Sequence, residues 1–204
     1  MSAAREEIVA RIRAALGDAP PPPQEARTYR RTTGAGVETL VERLRDYKAD
    51  ARRVGAGGLA VEIEELCDGK RIVVPPQLPA SWRPSGAVED TGLSPRELDG
   101  LDGVLTGCTL AIAETGTLVL SGGPTEGRRA LTLVPDLHIC VVQEAQVVDG
   151  VPAAFDRLEE RVRRERRPLT FISGPSATSD IELSRVEGVH GPRRLVVLIV
   201  EESP

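Results

Sequence analysis

With 204 residues, 40% of them hydrophobic and 28% charged, the chain has the composition of a globular protein with one sizeable core, and one domain plus a terminal appendage is expected. A formal net charge of −5 gives no overall attraction to a polyanion, which argues against a nucleic-acid partner. No apolar run approaches the ~20 residues of a membrane span, and aromatics are only 2% of the chain, so Leu, Val, Ile and Ala must fill the core.

The first residues contain no apolar leader core, so a cytoplasmic location is expected. Residues 3–16 place Ile8, Ile12 and Leu16 at i, i+4 and i+8, beside Val9 and Ala15, which predicts an amphipathic helix with a narrow apolar stripe. Gly17 can stop it, and Pro20-Pro21-Pro22-Pro23 must be extended and semi-rigid. Residues 1–34 therefore read as a helical arm and linker ahead of an α/β domain over 35–204. The stripe is expected to dock on its own domain; a symmetry mate in a homo-oligomer and a partner are the other surfaces weighed.

A second helix is predicted over 36–49, with Val37, Leu40, Val41, Leu44 and Tyr47 on one face. A short strand at 52–54, a helix over 58–67 and a strand at 71–74 ended by Pro75-Pro76 follow. Strand–helix–strand alternation points to a mostly parallel sheet flanked by helices. Ser94-Pro95-Arg96-Glu97 combines an N-cap serine, proline at N1 and glutamate at N3, so a short helix over 95–100 is expected.

From Gly107 to Leu120 the chain reads as a buried strand, a tight turn at Ala113-Glu114-Thr115-Gly116 and a second strand. Glu114 is the one ionisable carboxylate in the stretch, either held at a sheet rim for a purpose or carried into solvent by the turn. As chemistry it could be a nucleophile, a general base or a turn residue. The loop Ser121–Arg129 is Gly-rich and ends in two arginines, so it either brings N–H and guanidinium groups to an anion or is a solvated turn. Residues 131–134 form a short helical or extended piece, and 138–142 a buried strand. A helix over 152–166 turns Ala154, Leu158 and Val162 inward, and its mixed-sign outer face is solvated.

A strand at 169–172 then runs into Ser173-Gly174-Pro175-Ser176-Ala177-Thr178-Ser179-Asp180-Ile181-Glu182. Small residues and hydroxyls between a strand end and a helix start suit the crevice of an open α/β sheet, where an anion is favoured. Ser179 and Glu182 also fit a capping box. Residues 195–200 make a last buried strand. Cys67, Cys108 and Cys140 are scattered and lack any Cys-x-x-Cys spacing, so they read as buried hydrophobes and not as a disulfide, zinc or iron–sulfur framework. Two histidines do not make a metal centre; His138 is taken as structural, and His190, in a Gly-flanked loop, as the better site candidate. No nucleophile elbow, dinucleotide fingerprint or Walker sequence is present.

Three segments carry a resemblance. Residues 111–120, 133–138 and 170–183, the last continuing through Gly188-Val189-His190-Gly191-Pro192, resemble the signatures of the lactate-utilisation (LUD) domain family, in the right order over roughly residues 35–201 and closest to its protein C branch. The resemblance implies a Rossmann-like α/β sandwich similar to the sugar-phosphate isomerase and CoA-transferase superfamily. It also implies a place in bacterial oxidation of L-lactate to pyruvate, with two companion proteins, A and B, carrying iron–sulfur clusters. This chain would then hold no redox cofactor and no metal of its own. It would bind a small carboxylate through Glu114, Thr115, Gly116, Thr117, Ser173, Gly174, Ser176 and His190, or act as an accessory subunit. Because CoA transferases of the related superfamily use a glutamate closely followed by glycine, the alternative is a stand-alone enzyme on an acyl-CoA or sugar-phosphate-like ligand, with Glu114 as nucleophile or base.

Overall fold

The structure is a computed structural model that describes residues 3–17, 20, 30–175 and 191–201. Short aliphatic runs form its strands: β1 (Asp50–Val54), β2 (Ile72–Val74), β3 (Val88–Glu89), β4 (Gly103–Gly107), β5 (Leu110–Ile112), β6 (Thr117–Leu120), β7 (Leu137–Gln143), β8 (Val147–Val148), β9 (Thr170–Ile172) and β10 (Arg194–Val200). The helices are α1 (Ala3–Leu16), α2 (Val37–Asp46), α3 (Leu59–Cys67), α4 (Pro95–Asp99) and α5 (Val151–Glu165).

Six strands pair in the order β1-β10-β7-β4-β2-β3, every pairing parallel. The central strands β4, β7 and β10 are buried along most of their length, as a sheet covered on both faces requires. Successive residues of β10 serve opposite faces. Val197 and Ile199 pack with Leu40 and Leu44 of α2, whereas Val196 and Leu198 pack with Leu59 and Ile63 of α3. A second sheet, ordered β8-β5-β6-β9, lies on the α2 side and contributes Ala111 and Leu118 to the same cluster. Its other face packs Leu110, Ile112 and Val119 against Ala154 and Leu158 of α5.

The connectivity has a functional consequence. From β2 the chain steps outward to β3, returns through α4 to β4 on the other side of β2, and continues outward to β7 and β10. The sequence β3-β2-β4-β7-β10 is the doubly wound order 2-1-3-4-5, which places the switch point between β2 and β4. The capping box opens α4 as expected: the Glu97 N–H donates to Ser94 Oγ at 3.3 Å and the Ser94 N–H to Glu97 Oε2 at 2.7 Å.

Several expectations are corrected. Ile8, Ile12 and Leu16 are all exposed, so the α1 stripe does not dock on the described residues of its own domain. Tyr47 is exposed because α2 ends at Asp46 and Tyr47 has left the helical period. Val162 is exposed because the short strands β5 and β6 reach only as far as Ala154 and Leu158 of α5. β4, not foreseen as a strand, lies between β2 and β7. β9 belongs to the second sheet, antiparallel to β6, and not to the parallel sheet. No helix among the described residues is long and apolar enough to cross a membrane.

Candidate functional site

The β5–β6 turn is fastened to the neighbouring strand through its backbone. The Ala113 N–H donates to the Val148 carbonyl at 2.8 Å, and the Glu114 N–H to the Asp149 carbonyl at 3.0 Å. Gly116 has φ +63°, and a Cβ there would lie 2.6 Å from Arg43 Cβ and 3.0 Å from the Arg43 backbone carbon. The glycine of Glu-Thr-Gly is therefore required by the close passage of α2.

The turn sends its side chains two ways. Glu114, its side chain 30% exposed, accepts a hydrogen bond from Arg30 Nη2 at 2.5 Å. It borders an open pocket of about 680 Å³ with Arg30, Arg31, Val151, Pro152, Phe155 and Asp156. Arg31 pairs with Asp156 at 2.7 Å, and Phe155 stacks on Phe171 with centroids 6.1 Å apart. On the other side, Thr115 and Thr117 share a hydroxyl hydrogen bond of 2.7 Å, and Thr117 shares another of 2.7 Å with Ser173 just past β9. Gly174, at φ +126°, leaves room for Tyr47, whose Cβ would be 3.0 Å from an added methyl.

Thr115, Thr117 and Ser173 are thus brought together, whereas Glu114 borders a pocket that none of these hydroxyls lines. Ser176, His190 and the Ser179–Glu182 cap lie outside the described residues. Since β9 is antiparallel to β6, Ser173 does not sit at the C-terminal edge of the parallel sheet.

Asp149 was not anticipated. Its carboxylate accepts from the N–H groups of Thr33, Gly34 and Ala35 and from the Thr33 hydroxyl, fastening the chain that carries Arg30 and Arg31 beside Glu114. The Thr33 hydroxyl, then these N–H groups, hold its pKa down at about 2. Nothing in an Asp-Gly-Val-Pro sequence signals this; it needs a segment more than a hundred positions away.

Glu126 was also missed. It is only 3% exposed and lies within the Gly-rich loop. Its Oε2 accepts the Ser121 N–H at 2.6 Å and the Gly123 N–H at 2.9 Å, and Oε1 accepts the Thr109 hydroxyl at 2.5 Å. Arg161 donates to the hydroxyls of Ser121 at 2.7 Å and Thr109 at 3.2 Å. The sequence leaves the loop open to two readings, amides facing an anion or a solvated turn; two of its amides, those of Ser121 and Gly123, are in fact turned onto an internal carboxylate. The available signal was a glutamate two residues after Gly-Gly-Pro, where its side chain can fold back on its own turn.

His138 is buried and shares a 2.8 Å hydrogen bond between Nε2 and Thr106 Oγ1, consistent with a structural role. All three cysteines are free and buried, and burial pushes the Cys67 thiol up to about 11. Among the described residues no three His, Cys, Asp or Glu side chains are grouped to hold a metal ion.

A family model described as the LUD domain matches residues 85–200. A lactate utilization protein C of Deinococcus radiodurans is 50% identical over 163 residues, covering 78% of this chain and 76% of its own. Another of that name, from Shouchella clausii, is 31% identical over 189 residues, covering 82% and 80%. The crystal structure of a DUF162 family protein from D. radiodurans is similar with a TM-score of 0.69 and 39% identity, over 80% of this chain and 94% of that one.

Proposed function

The chain belongs to the LUD domain family, and from that premise we propose that it is a component of a bacterial L-lactate utilisation system that oxidises L-lactate to pyruvate. It works in the cytoplasm with two iron–sulfur partners, lactate-utilisation proteins A and B, which carry the redox centres. Its own part is to hold a small carboxylate and present it to them. The observation that carries this reading is 50% identity over 78% of the chain to a relative named lactate utilization protein C.

The pocket beside Glu114 supports it chemically. A 2-hydroxy acid offers a carboxylate, a hydroxyl and a methyl group. The Arg30 guanidinium has five N–H donors, and its bond to Glu114 leaves others for a ligand carboxylate. Glu114 is placed to accept the hydroxyl hydrogen, and Val151, Pro152 and Phe155 offer apolar surface to the methyl. Thr115, Thr117 and Ser173 fix the turn that carries Glu114 through their linked hydroxyls.

Affinity purification of the tagged chain from lactate-grown cells tests the reading. Iron–sulfur proteins are expected to co-purify, with their visible absorption in the eluate. A chain recovered alone, under conditions where the cells are oxidising lactate, would overturn it.

A further inference from the structure

The switch point between β2 and β4 is where loops leave two adjacent parallel strands in opposite directions and a crevice opens at the strands' C-terminal ends. A cavity of about 620 Å³ occupies that place, within the usual range of about 300–1,000 Å³ for small-molecule sites. Pro76 and Gln77, leaving β2, form one wall, and the 121–129 loop with Arg167–Thr170 forms the rest. The loop is held at the end of β4 by the Gly107 N–H, which donates to the Thr125 carbonyl at 2.9 Å. None of its lining residues is shared with the Glu114 pocket.

Its charges do not balance. Glu126 is committed to the Ser121 and Gly123 amides and the Thr109 hydroxyl, with Arg161 behind those hydroxyls. Arg128 is held by Asp90 in a two-point pair, Nε to Oδ2 at 2.7 Å and Nη2 to Oδ1 at 2.8 Å. Arg129 and Arg167 have no carboxylate partner among the described residues. Arg129 donates to the Thr132 carbonyl and hydroxyl at 3.1 and 2.6 Å, and Arg167 to the Gly122 carbonyl at 3.0 Å. Both keep further N–H donors. Arg129 lines the cavity, and desolvation lowers its pKa from the ordinary arginine value.

We propose that this cavity binds a phosphate group carried on a small molecule, with Arg129 and Arg167 as its two cationic ligands. A phosphate monoester brings close to two negative charges and oxygens that match the guanidinium fork; a single carboxylate such as lactate would leave one arginine unanswered. The volume beyond one phosphate admits a nucleoside- or sugar-sized remainder between Pro76 and Pro168. This site is separate from the one proposed for lactate, so either can fail alone.

Calorimetric titration of the full chain tests it, with inorganic phosphate, pyrophosphate and AMP as probes and L-lactate and malonate as comparison anions. Trp82, the chain's single tryptophan, gives a second readout, because a Cβ on Gly107 would touch both its ring at 3.5 Å and Thr125 of the loop. At least one phosphate-bearing probe is expected to bind more tightly than lactate or malonate. Arg167→Ala removes one exposed side chain and is expected to weaken binding roughly tenfold or more. Arg129→Lys, which keeps the charge but loses the fork, should weaken it in the same direction. Arg163→Ala, which removes an exposed arginine elsewhere, should leave it unchanged. No binding of any phosphate probe, binding that survives both cavity variants, or malonate binding as tightly as the phosphates would overturn the proposal.

Discussion

Replacing Glu126 with alanine separates a structural carboxylate from an incidental one. The substitution removes the acceptor of two loop N–H groups, those of Ser121 and Gly123, and of the Thr109 hydroxyl, in a place only 3% exposed. Each buried donor left without a partner costs about 1–3 kcal/mol, so the two amides together set a loss of roughly 2–6 kcal/mol. Thr109 keeps Ser121 as a partner through their 2.8 Å hydroxyl bond and adds little. For a chain of this size each kcal/mol moves Tm by about 2–4 °C, so a fall of roughly 4–24 °C is expected. Glutamine should be milder, at about 1 kcal/mol, because both amides use the same carboxylate oxygen and an amide oxygen can replace it. Urea unfolding followed by Trp82 fluorescence gives both values. Alanine within about 0.5 kcal/mol of wild type, the range of ordinary surface changes, or glutamine as costly as alanine, refutes the assignment.

Gly116→Ala should cost about 2–4 kcal/mol, combining left-handed strain with a methyl driven into the α2 backbone; a neutral result in the same unfolding assay would mean α2 does not pass that close. Asp149 has a depressed pKa, so its hold on residues 33–35 is fully present above the ordinary carboxylate value and lost as pH falls towards about 2. NMR titration should place its midpoint near that value, with the Thr33–Ala35 amides losing protection over the same window; titration near 4 contradicts the contact. The three buried thiols should resist Ellman's reagent in the native chain and react together on unfolding, whereas one fast-reacting thiol would show an accessible cysteine. Arg30→Ala should change stability by less than about 1 kcal/mol, as for other exposed pairs, while weakening L-lactate binding; a fold-stability loss with intact binding would make the pair purely structural.

Local signals recovered most of the architecture. Amphipathic spacing marked α2 and α3, a capping box marked α4, and unbroken aliphatic runs marked β7 and β10. β4 escaped notice because Gly-Val-Leu-Thr-Gly has a glycine at each end and reads as linker until β2 and β7 close on either side of it. The crevice argument was attached to β9. Only pairing shows that β9 lies in the small antiparallel sheet and that the parallel strands open at β2 and β4. At the turn, Glu114 was visible as a lone acid among apolar neighbours, but its partner Arg30 is 84 positions away and could not be read from spacing. Gly116 was legible as a turn glycine, but the close passage of Arg43 that requires it could not be read from the sequence.

Growth tests the central claim most directly. A strain lacking this gene should fail to grow on L-lactate as sole carbon source yet grow normally on pyruvate, and the wild-type gene should restore growth. Equal growth of the deletion strain and its parent on L-lactate would contradict the account.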